Sequence, residues 1–371
     1  TPSGAYTTTM AGDVTVNGDL YIYDNNGAGL AILDTSSSSY ALTVNGSLYL
    51  GIPPPPDGKL KANNSTIIVT ANVNIYGGPS GSEIDADTSN WTVGGNWTNS
   101  GTFTADTSTI TFDGGNATIT PGGVDADHDF YNVKIDSTGT KTLSGDIKIN
   151  NDLMFESGTF DANDHDVTIS GDIYVVVTTE NLALSATESL LEGTEWDIPS
   201  TLNINDGSLS TAAAAWGFPV RWQLEWGETK VIAETKINFD VGFGMTPGDY
   251  NFEYWDGDSW EAPSEWDSGG ANQGFDTWYT YTLSSPISTT KIRSTMAGFI
   301  GPPGNVNEWQ ALEAGSGTIN AGTGTWTVGG NADLTNITFN HENGTVTFSS
   351  IDTGETITTA GSSFYNLTFD S

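Results

Sequence analysis

Trp91-Thr92-Val93-Gly94-Gly95-Asn96 returns 235 residues later as Trp326-Thr327-Val328-Gly329-Gly330-Asn331. The copies run on in parallel, because Phe130-Tyr131-Asn132-Val133 follows the first at nearly the distance at which Phe364-Tyr365-Asn366-Leu367 follows the second. Smaller units recur as well. Gly158-Thr159-Phe160-Asp161-Ala162 with Val167-Thr168-Ile169 aligns without a gap to Gly317-Thr318-Ile319-Asn320-Ala321 with Trp326-Thr327-Val328, and Gly101-Thr102-Phe103-Thr104-Ala105 begins another copy. A unit of about 20 residues holding strand, turn and strand cannot close a core alone, whereas stacked units bury a continuous one. The expected architecture is a β-solenoid or stack of β-arcs. Val167, Ile169 and Ile173 should face inward and Asp166, Thr168 and Asp172 outward, with Gly and Asn at the corners.

Composition agrees with an all-β chain. Of 371 residues, 36% are hydrophobic and 11% aromatic, enough to build cores in a chain rich in Gly, Ser and Thr. Short alternating runs of Thr, Val, Ile, Tyr, Phe and Trp are bounded by turn formers, and helical patterning is nearly absent. With 46 acidic and 10 basic residues the net charge is −36, which excludes nucleic acid as a partner because its phosphates would be repelled. No apolar run approaches the ~18 residues that span a bilayer, so no membrane insertion is expected. The absence of cysteine removes disulfides, thiolate metal sites and cysteine nucleophiles, and three histidines leave little for zinc.

The phrases Trp-Thr-Val-Gly-Gly-Asn-Trp (91–97) and Leu-Ser-Gly-Asp-Ile-Lys-Ile-Asn-Asn-Asp-Leu (143–153) resemble the Thr- and Gly-rich repeats of large prokaryotic, archaeal or bacterial, surface proteins and adhesins. That resemblance implies an extracellular or cell-surface location. From Asn181 to Ala314 the repeat disappears, and the sequence resembles the discoidin family (coagulation-factor type C, galactose-binding-like jelly-rolls). Five segments carry the likeness in order. Asn181-Leu182-Ala183-Leu184-Ser185-Ala186-Thr187 resembles the opening strand, and Asn205-Asp206-Gly207-Ser208-Leu209-Ser210-Thr211 the Asp-Gly turn. Trp222-Gln223-Leu224-Glu225-Trp226-Gly227 follows, with Glu-Trp where the family has Asp-Leu; then come Tyr250 to Trp260 and the closing pair Thr290 to Arg293 with Trp309 to Ala314. The implied organisation is a β-repeat domain over 1–180, a jelly-roll insertion over 181–314, and a continuation of the stack over 315–371. A jelly-roll brings its termini together, so it can interrupt a stack without breaking it.

The family binds carbohydrate or anionic lipid through end loops, and the acidic charge disfavours lipid. An aromatic platform with polar groups beside it is the chemistry of a glycan site, for which Trp216, Trp266, Asp267, Asn272 and Trp278 are the candidates. The same tryptophans could equally pack on the module or a neighbour. Asp125, Asp127 and Asp129, and Asp161, Asp164 and Asp166, alternate as carboxylates that converge on Ca²⁺, or merely turn each repeat. No cofactor is required by any motif. Ser288-Thr289-Thr290-Lys291 fits a Ser-x-x-Lys pattern without its partner motifs, so no enzyme is expected.

The ends of the sequence complement each other. Ser363 to Ser371 corresponds to Asp129 to Ser137, whose continuation Thr142 to Leu153 is matched position for position by Thr9 to Leu20. The N-terminus reads as the missing next unit. An uncapped solenoid presents open strand edges, and a head-to-tail contact is heterologous, giving a ring or filament. Val14, Val16 and Leu20 with Phe364, Tyr365, Leu367 and Phe369 would form the joint of a self-assembling filament, sheath or surface layer. Two alternatives stand beside it: a glycan-binding adhesin with the repeats as stalk, and one segment of a longer tandem protein.

Overall fold

In the computed structural model the described residues are 4–25, 29–51, 57–77, 81–195, 204–208, 213–239, 250–266, 278–296, 304–350 and 353–370. They form strands joined by turns, with two short 3₁₀ turns, Leu182–Ser185 and Ser264–Trp266, as the helical elements. The chain divides into two units: Thr1–Val176 with Gly315–Ser371, and Val177–Ala314.

The first unit is a β-solenoid in which parallel ladders join equivalent strands of successive coils. Leu42 pairs with Ile67, Ile67 with Trp91 and Trp91 with Ile110. Alternation sets the core: in Leu42–Val44 and Leu48–Leu50 the outer residues of each triplet are buried and Thr43 and Tyr49 are half-buried. Val167, Ile169 and Ile173 point inward, as the alternation requires. The stack continues across the insertion, with Thr159, Phe160 and Asp161 paired to Thr318, Ile319 and Asn320 and Val167 to Trp326.

The corners have a local chemical cause. In Ala62-Asn63-Asn64-Ser65, Ala86-Asp87-Thr88-Ser89 and Ala105-Asp106-Thr107-Ser108 the alanine is buried and the next residue is left-handed, with φ of 50°, 50° and 46°. The serine N–H closes each turn on the alanine carbonyl at 2.9–3.0 Å. Asn and Asp are the non-glycine residues that tolerate this conformation. A second device locks coil to coil: Asp or Asn Oδ1 accepts a backbone N–H from the next coil, as Asn72 does from Asn96 at 2.8 Å and Asp152 from Asp172 at 2.9 Å. The sequence separation of such pairs varies, being 28 for Asp19 and Ser47, 24 for Asn72 and Asn96, and 20 for Asp152 and Asp172. Close stacking also demands glycine at Gly94, where a Cβ would stand 2.3 Å from the Thr70 carbonyl oxygen.

The second unit has its own core of Trp222, Leu224, Ile232, Ile237, Phe252, Trp266, Ile292 and Trp309. Its long strands Ala213–Phe239 and Trp278–Met296 pair antiparallel, and Tyr250–Trp255 adds to Trp278–Met296. Its first strand, Val177–Asn181, begins four residues before the boundary expected from sequence, because Val177 pairs with Ala314. Val175-Val176-Val177 reads as repeat in sequence, and only this pairing separates its last residue from the stack.

Candidate functional site

The apolar surface concentrates on the two terminal coils of the solenoid. In the first coil, Val14–Val16 pairs with Leu42–Val44 and Leu20–Ile22 with Leu48–Leu50. Val14 is 37% exposed, while the residue aligned with it in the interior of the stack, Ile147, is fully buried. Val16 and Leu20 are half-buried. In the last coil, Asn366–Phe369 pairs with Thr345–Phe348. Leu367 and Phe369 are 43% and 69% exposed, whereas the aligned Val133 and Ile135 are fully buried. Phe364 is half-buried against Phe339 and Phe348 (5.4 and 6.3 Å between centroids), and exposed Tyr365 stacks on His341 at 6.0 Å. Val328, Phe348, Ile357 and Phe369, with Glu355, line a cavity of about 250 Å³ at this end. The residues expected at the joint thus lie on the outermost coils, with apolar area exposed that interior coils bury.

The aspartates expected to hold Ca²⁺ are used by the chain itself. Asp161 Oδ1 accepts the Asn163 N–H, and Asp166 Oδ1 accepts that of Thr325 at 2.7 Å. Asp164 accepts both the N–H and the hydroxyl of Thr323, and these bonds hold its carboxyl below the ordinary range. Asp125 is hydrogen-bonded to His128, which lowers it likewise. The Asp127 carbonyl accepts the Phe103 N–H at 2.7 Å, and buried Asp129 pairs with Lys148. Among the described residues no three or more acidic or histidine side chains gather as a metal site. Asp129, Asp164 and Asp166 thus bond across neighbouring coils, and Asp125 and Asp161 bond within their own turns.

Of the glycan candidates, Asp267 and Asn272 lie outside the described residues, as does the side chain of Trp216, which belongs to the strand Ala213–Phe239. Trp266 is corrected: it is fully buried, edge-on to Phe252 and Tyr254 at 6.2 and 6.4 Å, and offers no platform. Trp278 is half-buried at the start of its strand. Sequence reasoning missed a different aromatic group. Half-buried Trp255 and Trp260 meet at 5.6 Å, with Lys291 Nζ 4.8 Å from the Trp255 centroid and the Arg293 guanidinium 4.2 Å from that of Trp260.

Also missed was a pair of glutamates in the second unit. Burial pushes Glu308 up to about 7, with further upward contributions from Asp206 and Glu188, against hydrogen bonds from the Gly207 and Ser208 amides that pull it down. Among the described residues its buried Oε1 has no hydrogen-bond partner. Burial likewise raises Glu188 to about 7, with Asp206 adding to it and the Ile204 N–H opposing. Both folded-state values lie above the ordinary carboxylate value, so between pH 4.5 and 7 these two carboxyls bind more protons in the folded module than in the unfolded chain. The stability that they contribute is fully present below that window and is lost as pH rises through it. Thermal melts from pH 5 to 7.5 should show the module's midpoint declining, and Glu308→Gln should flatten the decline; a flat wild-type profile would contradict the assignment.

Fold and geometry together define a class: a β-solenoid with exposed apolar coils at both ends and an inserted β-module. No protein-family model and no curated protein matches the sequence. Among solved structures, the chain is similar to a family 32 carbohydrate-binding module of the Clostridium perfringens NanJ protein, in complex with galactose. That likeness has 16% identity, covers 35% of this chain and 96% of that one, and has a TM-score of 0.30. It is also similar to the CpGH89CBM32-6 module of Clostridium perfringens, with 17% identity, 36% and 99% coverage and a TM-score of 0.30. The crystal structure of SpGH29 matches at 16% identity and a TM-score of 0.32; here the chain covers 29% of that protein's length and 37% of its own.

Proposed function

We propose that this chain is a structural subunit of an extracellular filament, sheath or surface layer, assembling head-to-tail without catalysis. The observation that carries the reading is the pair of apolar end coils, Val14 to Ile22 at one end and Leu367 to Phe369 at the other. Burying such area and pairing such edges is the largest favourable free energy these surfaces offer. The contact is heterologous, so each copy keeps one face open for the next. The net charge of −36 opposes close approach of copies, so assembly should strengthen with ionic strength. The inserted module decorates or cross-links the assembly, and half-buried Trp255, Trp260 and Trp278 are its aromatic groups for stacking on a surface or environmental glycan.

Sedimentation of the full chain at rising concentration and salt tests the reading. Continuously growing species are expected. A fixed monomer mass under every condition contradicts it and leaves a stalked glycan-binding adhesin as the reading to pursue.

A further inference from the structure

Inside the stack, Phe130 to Ile135 runs beside Ile149 to Phe155 of the following coil. Phe130 bridges Ile149, and Val133, Lys134 and Ile135 pair with Leu153, Met154 and Phe155. On a neighbouring strand of the same junction Ile119 pairs with Leu143. Ile119, Phe130, Val133, Ile135, Leu143, Ile149, Leu153 and Phe155 are all fully buried. The last coil carries the first half of this junction: Ile357, Phe364, Leu367 and Phe369 stand where Ile119, Phe130, Val133 and Ile135 stand. The first coil carries the second half, with Met10, Val16, Leu20 and Ile22 at the places of Leu143, Ile149, Leu153 and Phe155.

The backbone supports the equivalence as well as the sequence. Asn366 pairs with Thr345 as Asn132 does with Thr109, and Ile357 pairs with Ala332 as Ile119 does with Trp97. Asp13 and Asp19 accept the N–H groups of Ala41 and Ser47 just as Asp146 and Asp152 accept those of Asp166 and Asp172. Each half of the junction is therefore built, and each has one open side.

Resting on the head-to-tail reading, we propose that the partner of the last coil is the first coil of a second copy in one defined register: Leu367 opposite Leu20, Thr368 opposite Tyr21, Phe369 opposite Ile22, and Ile357 opposite Met10. Asn366 Oδ1 then receives the Asp19 N–H of the next copy, as Asn132 Oδ1 receives that of Asp152 at 3.3 Å within the chain.

Charge identifies the occupant as a copy of this chain. Two ion pairs cross the internal junction, Asp129 with Lys148 and Lys134 with Glu156. At the terminal coils all four positions are neutral: Ser363 and Thr368 on the last, Thr15 and Tyr23 on the first. Changing one member of a pair would leave a charge desolvated without its partner. Here both members of both pairs have changed together, so the two end faces fit each other better than either fits an interior face.

Among the described residues and in the sequence there is no cysteine, so engineered pairs report without background. A chain carrying Thr368→Cys is mixed with one carrying Tyr21→Cys under mild oxidation, and in parallel with one carrying Tyr23→Cys, displaced by about 7 Å along the strand. At least about tenfold more disulfide-linked dimer is expected from the Tyr21→Cys mixture, an aligned pair being within bridging distance. In a second arm, Thr15→Lys should block assembly and Ser363→Asp on the same chain should restore it, recreating the interior ion pair. Assembly of the unmodified chain with linkage favouring Tyr23→Cys, with no linkage, or without charge rescue overturns the register and leaves the head-to-tail reading standing. No assembly and no linkage overturns both.

Discussion

Aspartate placed at both Leu367 and Phe369 is expected to abolish assembly while leaving the monomer folded. Both side chains are exposed in the single chain, so the substitutions give up the stack of Phe369 on Phe348 at 6.0 Å and leave the rest of the core in place. In a head-to-tail joint the same positions become interior, as Val133 and Ile135 are, and each carboxylate would be buried without a cation. Such a charge costs several kcal/mol, and two of them lower the association constant by more than about a thousandfold. Sedimentation reads the assembly, and circular dichroism with thermal melting reads the monomer. Unchanged assembly would remove the last coil from the joint.

The largest effect on stability is expected at Trp97. Its ring is fully buried and meets Trp91, Phe103, Phe112 and Phe130 at 6.3, 5.0, 6.4 and 5.4 Å, so it joins consecutive coils. Trp97→Ala should cost about 3–5 kcal/mol through lost burial and the cavity left behind. Among the described residues the indole N–H has no hydrogen-bond partner, so the expected loss comes from packing. Because each coil is stabilised mainly by its neighbours, the weakened interface should also open locally between Trp97 and Phe130, seen as earlier amide exchange there. A change below about 1 kcal/mol in denaturant unfolding would contradict this packing.

The solenoid was legible because its signals are local. Alternation in Val167, Thr168 and Ile169 faces the core in the expected sense, and the gapless alignment of Gly158 with Gly317 is the pairing by which the stack crosses the insertion. The corner Ala-Asx-x-Ser also stands in the sequence at Ala62, Ala86 and Ala105, but the left-handed turn that its Asn or Asp makes shows only in the structure. What stayed hidden depends on contacts distant in sequence. Glu188 and Glu308 lie 120 residues apart, and nothing in either neighbourhood signals a carboxyl raised by burial. Trp266 looked like a loop tryptophan and is core, because a single 3₁₀ turn drops it beside Phe252. The match between Phe364 and Phe130 was plain in sequence, but the in-chain partner strand Thr345–Phe348 was not, since coil length drifts from 28 to 20 residues.

Electron microscopy of the full chain, assembled at raised ionic strength and reconstructed to strand resolution, tests the central claim most directly. The expected result is a filament, tube or sheet in which the ladder crosses from one copy to the next with Leu367 beside Leu20. Monomers under every condition, or copies joined through their sides or inserted modules with both end coils free, would contradict it.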